Sequence, residues 1–194
     1  YMQKLSQRII KPFLSVVLSI LFIIPGLVSS AESQVAQDYH MSIYKDVQGS
    51  TDAIEIFTKA EDKRVFFGIT CSIQSAMPLI QVILFDDEIM SETPKLLSIK
   101  LKIDGKAISK ELQGIINVVD NTEELSNKIR LEVVTKRGSS FKALQEAYQA
   151  LLEKMQQGEA LTITLSHRTL EAKEIIFSLK GLKQLLQPNK AVCY

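Results

Sequence analysis

The closing stretch, Ala172 to Tyr194, reads AKEIIFSLKGLKQLLQPNKAVCY. It predicts a strand, a glycine break, a short helix and a terminal cysteine. Ile175, Phe177 and Leu179 share one face of the segment Lys173–Leu179, the two-residue period of a half-buried strand. Gly181 ends that strand, Leu182, Leu185 and Leu186 line a short helix, and Pro188 stops it. The other cysteine is Cys71, inside the apolar run RVFFGITCSI from Arg64 to Ile73. A Cys71–Cys193 bond would staple the last turn of the chain onto its first main strand. The loop so closed has about 120 residues, for which chain entropy supplies at most roughly 5 kcal/mol. Two free thiols are the alternative. A nucleophilic cysteine would need a histidine partner, and neither His40 nor His167 is tied to a cysteine by the sequence.

Working outward, Leu97 to Ile103 has the clearest alternation, with Leu97, Ile99, Leu101 and Ile103 against Ser98, Lys100 and Lys102. One face toward a core and one toward water is the antiparallel pattern. Asp104-Gly105 follows as a tight-turn signal. Further strands are expected at Ala53–Thr58, Arg64–Ile73, Leu79–Phe85, Leu112–Val119, Lys128–Thr135 and Ala160–Ser166. After Ser139 or Ser140 as N-cap, Phe141, Leu144, Tyr148, Leu151, Leu152 and Met155 fall on one face of a long helix, with Gly158 as its C′ residue. The connections are too short for βαβ crossovers. The expected class is α+β, an antiparallel β-sheet or small β-sandwich with one long helix and a short C-terminal helix.

The N-terminal residues read differently. Lys4, Arg8 and Lys11 form a positive region, and Phe13–Ile24 is apolar. Pro25 and Gly26 break the run, and Ser29-Ser30-Ala31 offers small residues for cleavage after Ala31. This is a secretory signal over residues 2–31. The uncharged run Phe13–Val28 has 16 residues, short of the ~20 of a spanning helix, so no stable membrane insertion is expected after cleavage. Residues 32–52 are expected as a flexible N-terminal arm or an edge element, and 53–194 as a single disulfide-stapled domain. Removing the signal's three basic residues takes the net charge from +1 to −2, which gives no reason to expect nucleic acid as a partner. Paired cysteines suit an oxidising, periplasmic location.

The feature order carries a resemblance. A cysteine closes Phe67-Gly-Ile-Thr-Cys71, a strand ends in Ile103-Asp104-Gly105, and a penultimate strand follows Gly158. The chain then closes through Phe177-Ser-Leu-Lys-Gly181-Leu182 to Cys193. From Arg64 to Tyr194 this resembles the small exported proteins of the VasI type, associated with type VI secretion loci. More loosely it resembles the invasion-associated locus B proteins. Those families tend to carry tryptophans, whereas this chain has none and ends on Tyr194. The resemblance implies a β-rich periplasmic domain with Cys71 and Cys193 bonded, acting as an accessory factor with an envelope protein as partner.

Catalytic patterns are sparse. Asp86, Asp87 and Glu88 could offer oxygens to a hard cation but suit a solvated turn that discourages edge pairing. His40 and His167 lack further ligands at metal-site spacing. Ser139-Ser140 and Ser166-His167 have no nucleophile elbow around them. No cofactor, metal or catalytic residue is therefore nominated, and the binding residues are left unassigned. The expected function is that of a non-enzymatic accessory or binding protein of the cell envelope. Two alternatives stand beside it. One is an envelope enzyme acting on cell-wall material through acids such as Asp104 or Asp120. The other is an inhibitor or immunity-type protein presenting the Asp104-Gly105 turn.

Overall fold

A computed structural model describes residues 31–85, 88, 90, 96–109, 111–120 and 125–194. The expected signal segment therefore lies outside the described residues up to position 30. Eleven strands occur among the described residues. The first five are β1 (Ala31–Ala36), β2 (Tyr39–Lys45), β3 (Thr51–Lys59), β4 (Val65–Ser72) and β5 (Leu79–Phe85). They form a continuous antiparallel meander. Next come β6 (Leu96–Ile103), the two-residue β7 (Lys106–Ala107), β8 (Leu112–Asp120) and β9 (Leu125–Val133). Helix α1 (Phe141–Met155) leads to β10 (Ala160–His167) and β11 (Leu170–Ser178), and the chain closes with α2 (Leu182–Leu186) and α3 (Lys190–Cys193).

The sheet is one continuous surface in the order β1-β2-β3-β4-β5-β9-β8-β6-β10-β11, with β7 paired to β6. The class is β-rich α+β, and each stretch read as a strand from Ala53 onward lies on a strand of the sheet. Helix α1 carries the chain from β9 past β8 and β6 to β10.

Four readings are revised. Residues 32–52, expected as a flexible arm or an edge element, hold most of β1, all of β2 and the start of β3, so the edge-element alternative describes β1. Tyr39, Met41 and Ile43 are buried while alternate residues face outward, so half of β2 is core, and β1 is the edge strand paired to it. Helix α1, expected to be long, has 15 residues, about four turns. Phe141, assigned to its core face, is 56% exposed, because burial begins only at Ala147. Gly158, expected as the C′ residue of α1, stands two residues past the C-cap Gln156 and gives room instead: a β-carbon there would sit 2.2 Å from Ile103 Cγ2.

The local signals otherwise behave as chemistry demands. Ser140 Oγ accepts from Ala143 N at 3.1 Å and caps α1. Asp104 and Gly105 both have positive φ, 50° and 76°, which the tight β6–β7 hairpin requires. Tyr148 Oη accepts from Val133 N at 3.3 Å, tying α1 to β9.

The two ends of the sheet turn toward each other. Phe67 of β4 packs on Phe177 of β11 with ring centroids 5.6 Å apart. Asp38, between β1 and β2, donates its backbone N–H to Lys180 O at 3.3 Å. Gly181 lies against the same turn: its φ is 97°, and a β-carbon there would fall 1.9 Å from Ala36 O. Beyond it Leu182, Leu185 and Leu186 are buried. Cys193 bonds Cys71 across a Cα separation of 4.8 Å, within the usual range of about 4.4–6.8 Å. Both cysteines are buried.

Two substitutions test this closure. Gly181→Ala is expected to destabilise by about 3 kcal/mol, combining an unfavourable φ with a backbone clash. Cys193→Ser is expected to cost roughly 2–5 kcal/mol. Removal of Tyr194, whose hydroxyl has only a 3.5 Å contact from Gln156 Nε2, should cost less than about 0.5 kcal/mol. Urea midpoints of the three variants should fall in that pattern. Equal midpoints for Cys193→Ser and the Tyr194 truncation would contradict it.

Candidate binding groove

Where the sheet turns back on itself it leaves a groove of about 1280 Å³. One wall is the end of β3 with the β3–β4 turn, residues 57–63. The other is β11, residues 174–178. The volume exceeds the ~300–1,000 Å³ typical of small-molecule sites.

Strand register builds the first wall. His40 lies opposite Phe57, and their rings stack at 5.5 Å with 16° between planes. Thr58 is buried, and its Oγ1 donates to Asp38 O at 2.7 Å. Ala60 N donates to Val65 O at 2.8 Å, closing the turn in which Asp62 takes φ 57°. On the second wall Ile175 and Phe177 point into the core while Ile176 is 59% exposed. The Asp38–Lys180 backbone bond closes one end.

Charge in the groove leans acidic. Asp38, Glu61, Asp62, Glu159 and Glu174 line it and are exposed, against Lys59, Lys63 and Lys180. None of these five carboxylates is in an ion pair among the described residues. Tyr39, next to Asp38, is fully buried, and its hydroxyl has no partner among the described residues. Burial first, and the Asp38 carboxylate second, push that hydroxyl above the ordinary tyrosine range.

Beyond the groove, Glu88 of the acidic triplet serves as an anchor. Lys173 Nζ lies 2.6 Å from Glu88 Oε2 and donates to Glu88 O at 2.8 Å, while Lys63 Nζ is 3.8 Å from Glu88 Oε1. The Lys173 hydrogen bond, with its charge and that of Lys63, holds the Glu88 carboxyl below its usual range against the opposing effect of burial. Asp86 and Asp87 lie outside the described residues, as do the side chain of Asp120 and residues 121–122.

The other nominated groups are structurally engaged. Asp104 Oδ1 accepts from Glu159 N at 3.0 Å and from Ala160 N at 2.9 Å, bracing its turn. His167 Nδ1 is bonded within its own turn to Thr169 Oγ1 at 2.7 Å and accepts from Thr169 N. Ser166 Oγ donates to Ser98 O at 3.4 Å. The structure therefore separates the two histidines: His40 stands in the groove, and His167 pairs with Leu170 at the far end of β11. Among the described residues no three of His, Cys, Asp and Glu converge as a metal site. Of the groove residues, the sequence reading weighed His40 alone as a candidate for chemistry, and named Ile175 and Phe177 only as a core face. The stacked Phe57 and the facing Ile176 carry no local signal beyond their strands.

No family model, curated protein or solved structure matches this chain.

The Glu88–Lys173 pair predicts a pH effect. A carboxyl held low by folding contributes stability above its unfolded pKa, and that contribution is lost as pH falls through the lower folded value. Below pH 4.5, the ordinary value for this group, the urea midpoint should fall more steeply for the native chain than for Glu88→Gln. Parallel curves between pH 3 and 6 would contradict the pairing.

Proposed function

We propose that the chain is a non-enzymatic binding protein of the cell envelope, exported to the periplasm, that holds a protein partner in the groove between β3 and β11. The groove is the observation that carries this reading. It is larger than a typical small-molecule site, it presents stacked aromatic and apolar side chains, and its carboxylates have no ion pair among the described residues. The buried Cys71–Cys193 bond suits an oxidising compartment, as does the signal read over residues 2–31. The resemblance to VasI-type exported proteins adds a secretion system as the setting in which the partner would be sought.

A second reading, inhibition of an enzyme by insertion of the Asp104-Gly105 turn, draws on the rigidity of that turn. Two backbone N–H groups hold Asp104 Oδ1, and a pre-ordered turn binds without the cost of ordering it. In the enzymatic alternative Asp104 would have only Oδ2 to offer, since Oδ1 holds two backbone N–H groups.

The test is recovery of the tagged, exported protein from its native envelope, with mass identification of what remains bound. The proposal expects an envelope protein at near-stoichiometric amount and no alkylatable thiol without reductant. Recovery of the protein alone, or two reactive thiols, would overturn it. Recovery of a single wall-degrading enzyme, lost on replacing Asp104-Gly105 by a longer loop, would favour the inhibitor reading.

A further inference from the structure

The groove is open along a strand edge. Five consecutive residues, Glu174 to Ser178, line it. Side chains alternate between the faces of a strand, so a consecutive run can line one space only through its backbone edge. On that side β11 has no strand partner among the described residues, β10 being its single neighbour in the sheet. A strand edge presented to a groove is a template for an added strand.

The stretch has few of the features that protect edges. Residues 174–178 contain no proline, and their pairing with β10 runs without a bulge from Lys173 to Ser178. Lys173, a charge of the kind that blunts edges, lies before the groove-lining stretch and is held by Glu88. The opposite edge, β1, contributes no residue to the groove.

Charge selects the occupant. Five exposed carboxylates, with no ion pair among the described residues, stand against three lysines, and Lys63 already faces Glu88 at 3.8 Å. An acidic rim steers and retains a cationic partner. We infer that the groove takes up an extended peptide segment bearing basic side chains, which adds as a strand to residues 174–178 of β11. This rests on the binding-protein reading and names the kind of partner and its mode of attachment.

The probe is a blocked heptapeptide, Lys-Val-Lys-Val-Lys-Val-Lys, added to the disulfide-bonded protein and followed by amide hydrogen exchange and NMR titration. Two comparison peptides replace each valine by proline or each lysine by glutamate. The expected result is slower exchange confined to β11 amides in 174–178. The proline peptide, which keeps the charge but loses three of its seven residue N–H donors, should bind at least about tenfold more weakly. The glutamate peptide should not bind. Ile176→Lys should lose the peptide, while Val35→Lys on β1 should keep it. Both side chains are largely exposed, so both variants should fold. Equal binding of the proline peptide, protection on β1, or unchanged binding by Ile176→Lys would overturn the inference. So would a concentration-dependent dimer abolished by Ile176→Lys, which would make a second copy the occupant. If an envelope partner still co-purifies with Ile176→Lys, the binding-protein reading stands and this mode of attachment falls.

Discussion

The contact of Gly181 with the Ala36 carbonyl determines how this sheet ends. Open, strongly twisted sheets of about ten strands curl, split or flatten. Here β1 and β11 do not pair to make a closed barrel. The two ends meet instead through the Asp38–Lys180 backbone bond and the close approach at Gly181. That approach needs a residue with no β-carbon at a positive φ, and only glycine meets both conditions without strain. Once the chain has passed this point, α2 lays Leu182, Leu185 and Leu186 into the interior, and Cys193 reaches Cys71. The disulfide secures a closure that the glycine makes possible.

The same closure leaves the groove. Because the ends touch at the turn after β1 rather than along their lengths, the outer edge of β11 has no strand partner among the described residues, while its inner face packs against β4 through Phe177 and Phe67. An edge fixed on one face and open along its side is pre-ordered. A partner binding there need not organise the strand first, which lowers the entropic cost of association.

Much of the sheet was legible because its strands are half buried. Leu97–Ile103, Ala160–Ser166 and the stretch around Ile175 alternate in the way such strands must, and burial follows that alternation. β2 has the same period in Tyr39, Met41 and Ile43, but it follows β1, a strand exposed almost throughout. An edge strand with no buried face has no hydrophobic period to read, and its neighbour was grouped with it as an arm. The first turn of α1 differs for a related reason: Phe141 matches the helical period, yet the helix begins before it reaches the sheet. The groove was not legible. Its walls, near Phe57 and Ile176, are more than a hundred residues apart, and no local pattern records that the sheet curls enough to bring them together.

The register of β2, β3 and β4 explains why the groove has an apolar lip. His40, Phe57 and Gly68 lie opposite one another in successive strands, on the face turned away from the core. Gly68 has room for a methyl group, its nearest neighbours to a β-carbon being 3.6 Å or more away, and its φ is ordinary. Neither backbone strain nor packing calls for glycine there. Its effect is a depression of about 290 Å³ bordered by Phe57, Phe66, Ile83 and Phe85. Phe66 meets Phe85 edge-on at 5.8 Å, and the Arg64 guanidinium lies over the Phe85 ring at 5.2 Å. Phe57 and Phe66 border both this depression and the main groove. Glycine within a central strand weakens it and often marks a close approach by another group. The position therefore continues the apolar lip of the groove onto the outer face of β4.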